Sequence, residues 1–384
     1  MVLHQNTKRE SGGDSKRIVE ISAVRKENMK RYGNLWEEVI SKENLMRAFH
    51  NASQSNSKKS RSTKRAIKRM NEHIDECIQY LQYILIHGTW HPSKYKKKII
   101  FEPKKRFIYI AKFFPDRVLH HAFVDVLEER VWDKIMIYDS YSCRKDKGPH
   151  VGSRRCMEYV RKYRYCLKCD ISKFYPSLDH DLIKTIIRRK LKDKKLLVML
   201  DRIIDSFPGR KNAPIGNLTS QWYGNLYLNE LDDFIKQDLR VKGYIRYCDD
   251  FILFSNDKER LKEWAEKVKK FVEENLLLTF SKFDIFPVSR GIDFLGYRHF
   301  PNGCILLRKA TAKRMQKKVK AIPNQIRYGI KTNDQALSTV GSIEGWIKHA
   351  NTYNLKKAME MEKLKGEILN EQIQRIRKVA GHTT

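Results

Sequence analysis

Two adjacent aspartates interrupt an apolar segment near the middle of the chain. Asp249 and Asp250 stand between a tyrosine-rich half and an Ile/Leu-rich half of residues 244–254. Aspartate is disfavoured in strands, so this pair marks a place where function can override local propensity. A third carboxylate, Asp170, ends a second apolar segment. Taken alone, Asp249 and Asp250 could also be turn formers at the tip of a hairpin.

Three carboxylates of this kind suit magnesium, which prefers hard oxygen ligands. Two Mg²⁺ ions about 3.5–4 Å apart can activate a 3′-hydroxyl and stabilise a leaving pyrophosphate. We therefore predict a nucleotidyl-transfer site in which Asp170 and Asp249 bridge two Mg²⁺ ions. Asp250 is the supporting carboxylate. We expect Mn²⁺ to be able to replace Mg²⁺.

Strands must position these carboxylates. The sequence predicts a strand at 165–171, a strand–turn–strand at 244–254, a basic hairpin at 96–110 with its turn at 102–105, and a strand with a turn at 291–300. Helices are predicted at 34–49, 65–87, 116–131, 182–207, 220–240 and 258–275, and over most of the chain after 305. Strands and helices mix without βαβ regularity, which predicts an α+β fold with an antiparallel sheet.

The charge balance points to a polyanionic partner. The chain has 78 Lys and Arg against 45 Asp and Glu, a formal net charge of +33. Nucleic acid is the first candidate and an anionic membrane the second, and a merely basic soluble surface is the alternative. No segment approaches the ~20 apolar residues of a membrane span. Seven cysteines suggest a reduced, cytoplasmic protein, and Cys166 and Cys169 fit strand packing better than a metal site.

The residues around the carboxylates resemble the reverse transcriptase family. Tyr247-Cys248-Asp249-Asp250 is similar to its Tyr-x-Asp-Asp box, and residues 170–175 are similar to its first carboxylate block. The resemblance covers roughly residues 34–355. It implies a bacterial or phage-encoded RNA-directed DNA polymerase with a right-hand fold of fingers, palm with antiparallel sheet, and helical thumb. It also adds Ile171 to the metal site. We expect a basic extension at 1–33, fingers and palm at 34–300, and a basic helical thumb and tail at 301–384.

The same resemblance implies which residues bind nucleotide and primer. Arg106 would hold the triphosphate, assisted by Lys104, although the residues alone allow a merely solvated basic hairpin. Tyr175 matches a steric gate against a 2′-hydroxyl, with ordinary core packing as its alternative. Lys282 matches a lysine able to protonate the leaving pyrophosphate. The primer grip is matched by Phe294, Leu295, Gly296 and Tyr297.

One loop indicates a subgroup. Residues 214–221 contain Ile-Gly-x-x-x-Ser-Gln, where many relatives, including those of group II introns, carry Gln-Gly-x-x-x-Ser-Pro. This form resembles enzymes of diversity-generating retroelements, and Ile215, Gly216 and Gln221 would lie under the nascent base pair. The resemblance implies error-prone copying at template adenines. The partners would be template RNA, a cDNA or primer strand, dNTPs and a small basic accessory protein, with no membrane. The alternatives are a phage-defence or group II intron-like reverse transcriptase, or a non-catalytic RNA-binding scaffold of polymerase shape.

Overall fold

The computed structural model describes residues 30–54, 60–101 and 105–380. These residues form two compact units. Unit 1 comprises the described residues up to Tyr138, together with Asp170–Arg240 and Trp264–Lys282. Unit 2 comprises Asp139–Cys169, Val241–Glu263 and the described residues from Phe283 onward.

The described chain alternates helices with short strands. The helices are α1 (Trp36–Ile40), α2 (Lys42–Ser53), α3 (Arg61–Glu72), α4 (Ile74–Ile86), α5 (Val118–Leu127), α6 (Asp133–Ile135), α7 (Pro149–Lys162), α8 (Phe174–Ser177), α9 (His180–Lys190), α10 (Lys194–Asp205), α11 (Leu218–Asp233), α12 (Lys258–Glu274), α13 (Lys309–Arg327), α14 (Asn333–Ile347), α15 (Tyr353–Ala358) and α16 (Met361–Ala380). Single π turns lie at Glu128–Trp132 and Phe234–Asp238, and a kinked segment at Phe113–Arg117 contains the extended residue Phe114 (φ −122°, ψ 131°). The strands are β1 (Lys96–Ile100), β2 (Arg106–Ile110), β3 (Tyr165–Ile171), β4 (Gly243–Tyr247), β5 (Asp250–Ser255), β6 (Phe280–Pro287), β7 (Ile292–Phe294), β8 (Tyr297–His299) and β9 (Ile305–Leu307).

The strands form three sheets. The largest has the order β4–β5–β3–β6, and β4 pairs with β5 antiparallel. A second sheet has the order β7–β8–β9 with antiparallel pairing throughout. Strands β1 and β2 form a separate antiparallel hairpin. Mixed helices and antiparallel sheets confirm the predicted α+β class.

Unit 2 contains two apolar clusters. One is built from α7 and strands of the sheets, with Cys156, Ile245, Ile252 and Phe294 all buried within it. Along these strands every second apolar residue belongs to the cluster, as is expected for one face of a sheet that packs against a helix. The other cluster joins α13, α14 and α16, and consists of buried residues such as Val319, Val340, Ile343 and Leu364. The first cluster therefore supports the strands that carry the predicted carboxylates.

Several predicted elements differ from the structure. The single helix expected at 65–87 is two helices, because His73 leaves helical geometry between α3 and α4 (φ −132°, ψ 48°). The helix expected at 182–207 is likewise divided into α9 and α10, and the Asp193 side chain caps α10 by accepting from the Leu196 amide. The segment after 305 begins with strand β9 rather than a helix. Helix α7 and strand β6 were not predicted.

Candidate active site

The adjacent aspartates lie at the turn between β4 and β5. Tyr247 pairs with Asp250, so Cys248 and Asp249 form a two-residue hairpin turn. Cys248 has a φ of 53°, an uncommon conformation for a residue other than glycine. Such a conformation costs about 1–3 kcal/mol and persists where surrounding contacts fix it. The predicted strand–turn–strand is therefore confirmed, with Asp249 in the turn and Asp250 opening β5.

The buried side chain of Arg246 forms a hydrogen bond to this turn. It is fully buried, and its guanidinium Nη1 donates to the Cys248 carbonyl at 3.1 Å. Its main chain bonds to the Asp139 carbonyl at 2.9 Å and to the Tyr141 amide at 3.0 Å. The Asp139 carboxylate in turn accepts from the Tyr159 hydroxyl at 2.7 Å. Sequence reasoning missed Arg246, although an arginine inside an apolar strand was a signal.

The thiol of the turn residue Cys248 and the thiol of Cys143 both lie near the Ser142 hydroxyl. The Ser142 hydroxyl is 2.7 Å from the Cys248 sulfur and 3.3 Å from the Cys143 sulfur. A hydrogen bond with Cys248 is the main cause that lowers the pKa of Cys143, to about 6. The same hydrogen bond, together with burial, raises the pKa of Cys248. Cys143 is thus the more acidic thiol of the pair and the more exposed one.

Lys168 is the cationic partner of Asp250. Its ammonium forms an ion pair with the Asp250 carboxylate and lies 5.3 Å from the centre of the Phe294 ring. Lys168 is only 4% exposed. Burial of an unpaired ammonium is unfavourable, so the ion pair with Asp250 explains how the Lys168 side chain can be buried in strand β3. Sequence reasoning missed Lys168, which lies two residues before Asp170 and so on the same face of β3.

Asp170 is the penultimate residue of β3, and β3 is the neighbour of β5 in the sheet. One carboxylate oxygen of Asp170 accepts from the Ser281 hydroxyl at 2.8 Å. The same hydroxyl also donates to the Asp170 carbonyl at 3.2 Å. Ile171 ends the strand and is buried. Ser281, which was not predicted to belong to the site, thus orients the Asp170 carboxylate.

Within unit 1, the loop containing Ile215 and Gly216 is attached to β2. The Tyr109 amide donates to the Ile215 carbonyl at 2.8 Å, and the Asn217 side-chain amide donates to the Tyr109 carbonyl at 3.1 Å. Gly216 has a φ of 109°, and a Cβ there would lie 2.5 Å from a methyl of Ile108. The strand that begins with Arg106 therefore fixes the loop. Asn217 was missed, although it precedes α11 at the position that favours asparagine.

Tyr175 lies in α8 against the same loop. Its carbonyl accepts from the Ala213 amide at 2.8 Å. A Cβ at Gly224 of α11 would lie 3.4 Å from the Tyr175 ring, so the tyrosine packs closely on that helix. Gln221 lies on α11 one turn before Gly224 and is exposed. Unit 1 thus brings Tyr175, the 213–217 loop and α11 together.

The other predicted nucleotide-binding residues have separate positions. Arg106 is exposed at the start of β2, where it pairs with Ile100. Lys282 is half-buried in β6, next to Ser281. Lys104 lies outside the described residues, as does most of its turn.

The four predicted primer-grip residues form one hairpin. Phe294 pairs with Tyr297, and Leu295 and Gly296 make the two-residue turn with φ values of 56° and 85°. Positive φ at both turn residues matches a type I′ turn. The Tyr297 ring stacks on Trp346 at 5.4 Å, and its hydroxyl donates to the Trp346 carbonyl at 3.1 Å. Within unit 2, this hairpin is therefore anchored on α14.

A histidine cluster reinforces that anchorage. The Ser153 hydroxyl is 2.7 Å from Nε2 of His299 and 2.8 Å from Nε2 of His349. His150 stacks on His349, with 4.7 Å between ring centres, and its Nε2 is 2.9 Å from the Tyr297 hydroxyl. Burial lowers the pKa of His299 to about 4 and also lowers the pKa values of His150 and His349. The cluster is thus built for neutral imidazoles.

The donors at the hairpin turn and at the end of β3 are carboxylates. Within the part of the chain that the structure describes, no three His, Cys, Asp or Glu side chains converge to hold a metal ion by themselves. Magnesium is commonly held by one or two carboxylates together with substrate phosphates and water. The donor chemistry therefore fits an ion that binds together with a nucleotide.

A β-hairpin with an Asp pair at its turn, in a sheet where the neighbouring strand β3 has a carboxylate as its penultimate residue, is the arrangement expected of a polymerase-type nucleotidyltransferase. The family model for reverse transcriptase (RNA-dependent DNA polymerase) matches residues 94–299, more than half of the chain, and the chain belongs to this family. This confirms the predicted enzyme class, an RNA-directed DNA polymerase. Reverse transcriptases generally use divalent metal ions and bind template, primer and dNTPs.

Curated relatives are similar at low identity. Protein YkfC of Escherichia coli K12 is 22% identical over 302 residues, which cover 65% of this chain and 76% of YkfC. The group II intron-encoded protein LtrA of Lactococcus lactis is 24% identical over 181 residues, 44% of this chain and 29% of LtrA. An uncharacterised 91 kDa protein in the cob intron of Schizosaccharomyces pombe is 21% identical over 131 residues, 31% of this chain and 16% of that protein. The chain therefore spans less than a third of these two intron relatives.

Among the described helices, none is both long enough and apolar enough to cross a bilayer.

Proposed function

We propose that this protein copies RNA into DNA by two-metal nucleotidyl transfer, with Asp170, Asp249 and Asp250 as the metal-binding carboxylates. The observation that carries the proposal is the β4–β5 hairpin turn with Asp249 and Asp250, together with the order of the sheet, in which β5 neighbours β3, the strand whose penultimate residue is Asp170. The Ile171 carbonyl is the further oxygen donor at that strand end. Two Mg²⁺ ions, or Mn²⁺ in their place, would lower the pKa of the primer 3′-hydroxyl and stabilise the leaving pyrophosphate.

The chain's own residues prepare this chemistry. Ser281 orients the Asp170 carboxylate, and Arg246 fixes the turn that carries Asp249. Lys168 holds Asp250 in place and balances its charge. Lys282, in β6 next to Ser281, donates a proton to the leaving pyrophosphate. Preorganised groups of this kind reduce the rearrangement needed during reaction.

Unit 1 residues would bind the incoming nucleotide. Arg106, with Lys104, contacts the triphosphate, since guanidinium groups bind phosphate oxygens in pairs. Tyr175 packs under the sugar and disfavours a 2′-hydroxyl. Ile215, Gly216 and Gln221 support the nascent base pair. The main-chain bond between Tyr109 and Ile215 supports this assignment, because it joins the loop to the strand that begins with Arg106.

The hairpin Phe294–Tyr297 would grip the primer end. In this proposal residues 34–300 are fingers and palm, and residues 301–384 are thumb and tail. The basic extension expected at 1–33 lies, up to residue 29, outside the described residues. The anchorage of the hairpin on Trp346 supports a joint function of grip and thumb. Template RNA and the primer strand bind mainly through phosphate contacts, which makes binding salt-sensitive.

The loop at 214–221 supports a diversity-generating retroelement enzyme that makes errors at template adenines and works with a small basic accessory protein. The similarity to LtrA favours a second candidate, a group II intron-like enzyme. Sequencing cDNA from a defined RNA separates the two. Errors confined to template adenines, reduced in Ile215→Gln, support the first candidate. Uniform errors that are unaffected by this substitution contradict the first candidate and leave the group II intron-like and phage-defence alternatives.

The test of the polymerase proposal is an Asp249→Asn/Asp250→Asn variant on a primed RNA template with Mg²⁺. Metal ions contribute several kcal/mol to the transition state, so cDNA synthesis should fall about 10³-fold or more. Asp334→Asn is the matched control, because Asp334 is exposed on α14. Unchanged synthesis in the double variant would exclude the pair as the metal site. Tight RNA binding by the wild-type chain without synthesis under any metal would indicate a scaffold.

A further inference from the structure

Two cysteines of unit 2 lie side by side at the hairpin turn that carries Asp249. The Ser142 hydroxyl is 2.7 Å from the Cys248 sulfur and 3.3 Å from the Cys143 sulfur. The two thiols are also hydrogen-bonded to each other. Magnesium prefers hard oxygen ligands to sulfur, so nucleotidyl transfer gives neither thiol a role. A pair of thiols in contact beside the carboxylates therefore points to chemistry of its own.

The main chain holds Cys143 beside this turn. Ser140 pairs with Arg246 in a parallel bridge. Residues on the two sides of a parallel bridge advance together, so Ser142 lies opposite Cys248 and Cys143 follows directly. The contact between the Ser142 hydroxyl and the Cys248 sulfur agrees with this register. The two thiols are therefore brought together by backbone pairing.

Both cysteines also have a fixed backbone conformation. Cys143 has a φ of 56° and Cys248 a φ of 53°. Positive φ is uncommon for residues other than glycine and persists where surrounding contacts fix it. At Cys143 the fixing contact spans the turn, because the Arg144 guanidinium donates to the Ser140 carbonyl at 3.0 Å. The thiols are thus in position before any reaction between them.

The two thiols differ in their access to solvent. Cys143 is exposed and Cys248 is half-buried, whereas Cys156, Cys166 and Cys169 are buried. Cys143 is also the more acidic thiol of the pair, since the hydrogen bond with Cys248 lowers its pKa. Oxidants attack accessible thiolates first, and a second thiol in contact then completes a disulfide. Cys143 suits the attacking position and Cys248 the resolving one.

We propose that Cys143 and Cys248 form a reversible disulfide on exposure to hydrogen peroxide, and that this bond stops polymerisation. The Cys143 sulfur attacks one peroxide oxygen, the O–O bond breaks, and a sulfenic acid forms while the thiol proton leaves with the other oxygen as water. The Cys248 sulfur then attacks the Cys143 sulfur, the S–O bond breaks, and the hydroxide leaves with the Cys248 proton as a second water. Two thiols are oxidised by two electrons, and one peroxide is reduced to two waters.

The bond should displace the turn. A disulfide places its two sulfurs about 2 Å apart, closer than thiols that share a hydrogen bond. Cys248 must therefore shift toward Cys143, and Asp249 is its direct neighbour in the chain. A displacement of about 1 Å in an active site can slow a reaction about 10²-fold, so we expect at least a tenfold loss of cDNA synthesis. This loss rests on the proposed function of Asp249, whereas formation of the bond does not.

The first test is peptide mapping of the full-length wild-type protein after treatment with hydrogen peroxide and alkylation of the remaining thiols. Trypsin releases Cys143 in residues 135–144 and Cys248 in residues 247–258. Mass spectrometry should find these two peptides linked, with the link removed by dithiothreitol. Oxidation of Cys143 without this linked pair would overturn the proposal. This test needs no variant, so it is decisive even if a substitution impairs folding.

The second test measures cDNA synthesis on primed RNA with Mg²⁺ before peroxide, after peroxide and after dithiothreitol. Wild type should lose synthesis at least tenfold and regain it with the dithiol. Cys143→Ser removes the attacking thiol at similar size, so this variant should keep its synthesis after peroxide. Cys304→Ser is the matched control, because Cys304 is half-buried in the same unit, and it should respond like wild type. Equal inactivation of Cys143→Ser and wild type would overturn the switch.

Failure here can be distinguished from failure of the polymerase proposal. Linked peptides in a wild-type chain that makes no cDNA with any metal would leave the disulfide standing and remove the polymerase assignment. Metal-dependent synthesis that continues unchanged in the linked protein would remove the switch alone.

Discussion

Replacement of Lys168 by methionine tests the ion pair beneath the hairpin turn. Methionine keeps much of the length of the side chain and removes its charge, which leaves the Asp250 carboxylate without its buried ammonium. Loss of one partner of a buried pair costs about 3–5 kcal/mol when the other stays buried. The Asp250 side chain is 24% exposed. Because water can hydrate it, we expect a smaller loss of about 2 kcal/mol.

That loss should be visible in thermal unfolding without metal. Domains of 150–250 residues lose about 2–4 °C of Tm per kcal/mol, so Lys168→Met should lower Tm by about 4–8 °C. Differential scanning fluorimetry in EDTA measures this shift. Lys145→Met is the control, since Lys145 is exposed in the same unit.

Magnesium should restore part of the stability of Lys168→Met. A cation at the carboxylates substitutes for the missing ammonium, whereas in the wild-type chain it must compete with Lys168 for Asp250. Ligand at ten times its Kd adds about 1.4 kcal/mol, so the Tm gain from Mg²⁺ should be larger in the variant. If Lys168→Met is no less stable than Lys145→Met, or if Mg²⁺ stabilises the variant no more than wild type, the reasoning is refuted.

Two further predictions concern pH. The pKa of His299 is lowered to about 4 in the folded chain, against an ordinary 6.5. As pH falls, His299 is therefore protonated in the unfolded chain before it is protonated in the folded chain. The free energy of unfolding should for this reason fall by roughly 3 kcal/mol between pH 6.5 and pH 4. Urea unfolding of His299→Gln should show a flatter pH dependence over this window, and an equal slope would contradict the assignment. The Cys143 pKa of about 6 predicts that its alkylation by iodoacetamide is half-maximal near pH 6. Mass spectrometry should find this midpoint moved upward in Cys248→Ala, and a wild-type midpoint near about 8.5 would contradict it.

The strand that carries Asp170 and the turn with Asp249 and Asp250 could be predicted from sequence, because apolar residues interrupted by carboxylates are a local signal. The groups that hold these aspartates could not. Lys168 is 82 residues from Asp250, and Ser281 is 111 residues from Asp170. Such pairings depend on strand order, which no local pattern contains.

Helix ends were predicted less well than helix faces. Apolar spacing continues across His73, so the 3.6-residue period alone does not reveal the break between α3 and α4. The break before α10 did have a local signal, since Asp193 is a favoured cap residue. Its carboxylate also accepts from the Leu35 amide at 3.1 Å and the Trp36 amide at 3.0 Å, contacts that span more than 150 residues. The hydrogen bonds of Asp193 to Leu35 and Trp36 therefore depend on tertiary structure and could not be predicted from the local sequence.

The bond between Tyr109 and Ile215 has an evolutionary consequence. It joins main-chain atoms, so exchange of the Ile215 side chain leaves this attachment intact. Position 216 is the opposite case, because any Cβ there would collide with Ile108. Neighbouring positions in one loop thus differ in evolvability: the main-chain attachment places no limit on the side chain at 215, whereas a change at 216 meets both Ile108 and the positive φ of the backbone, so a smaller residue at 108 would not be enough to permit it.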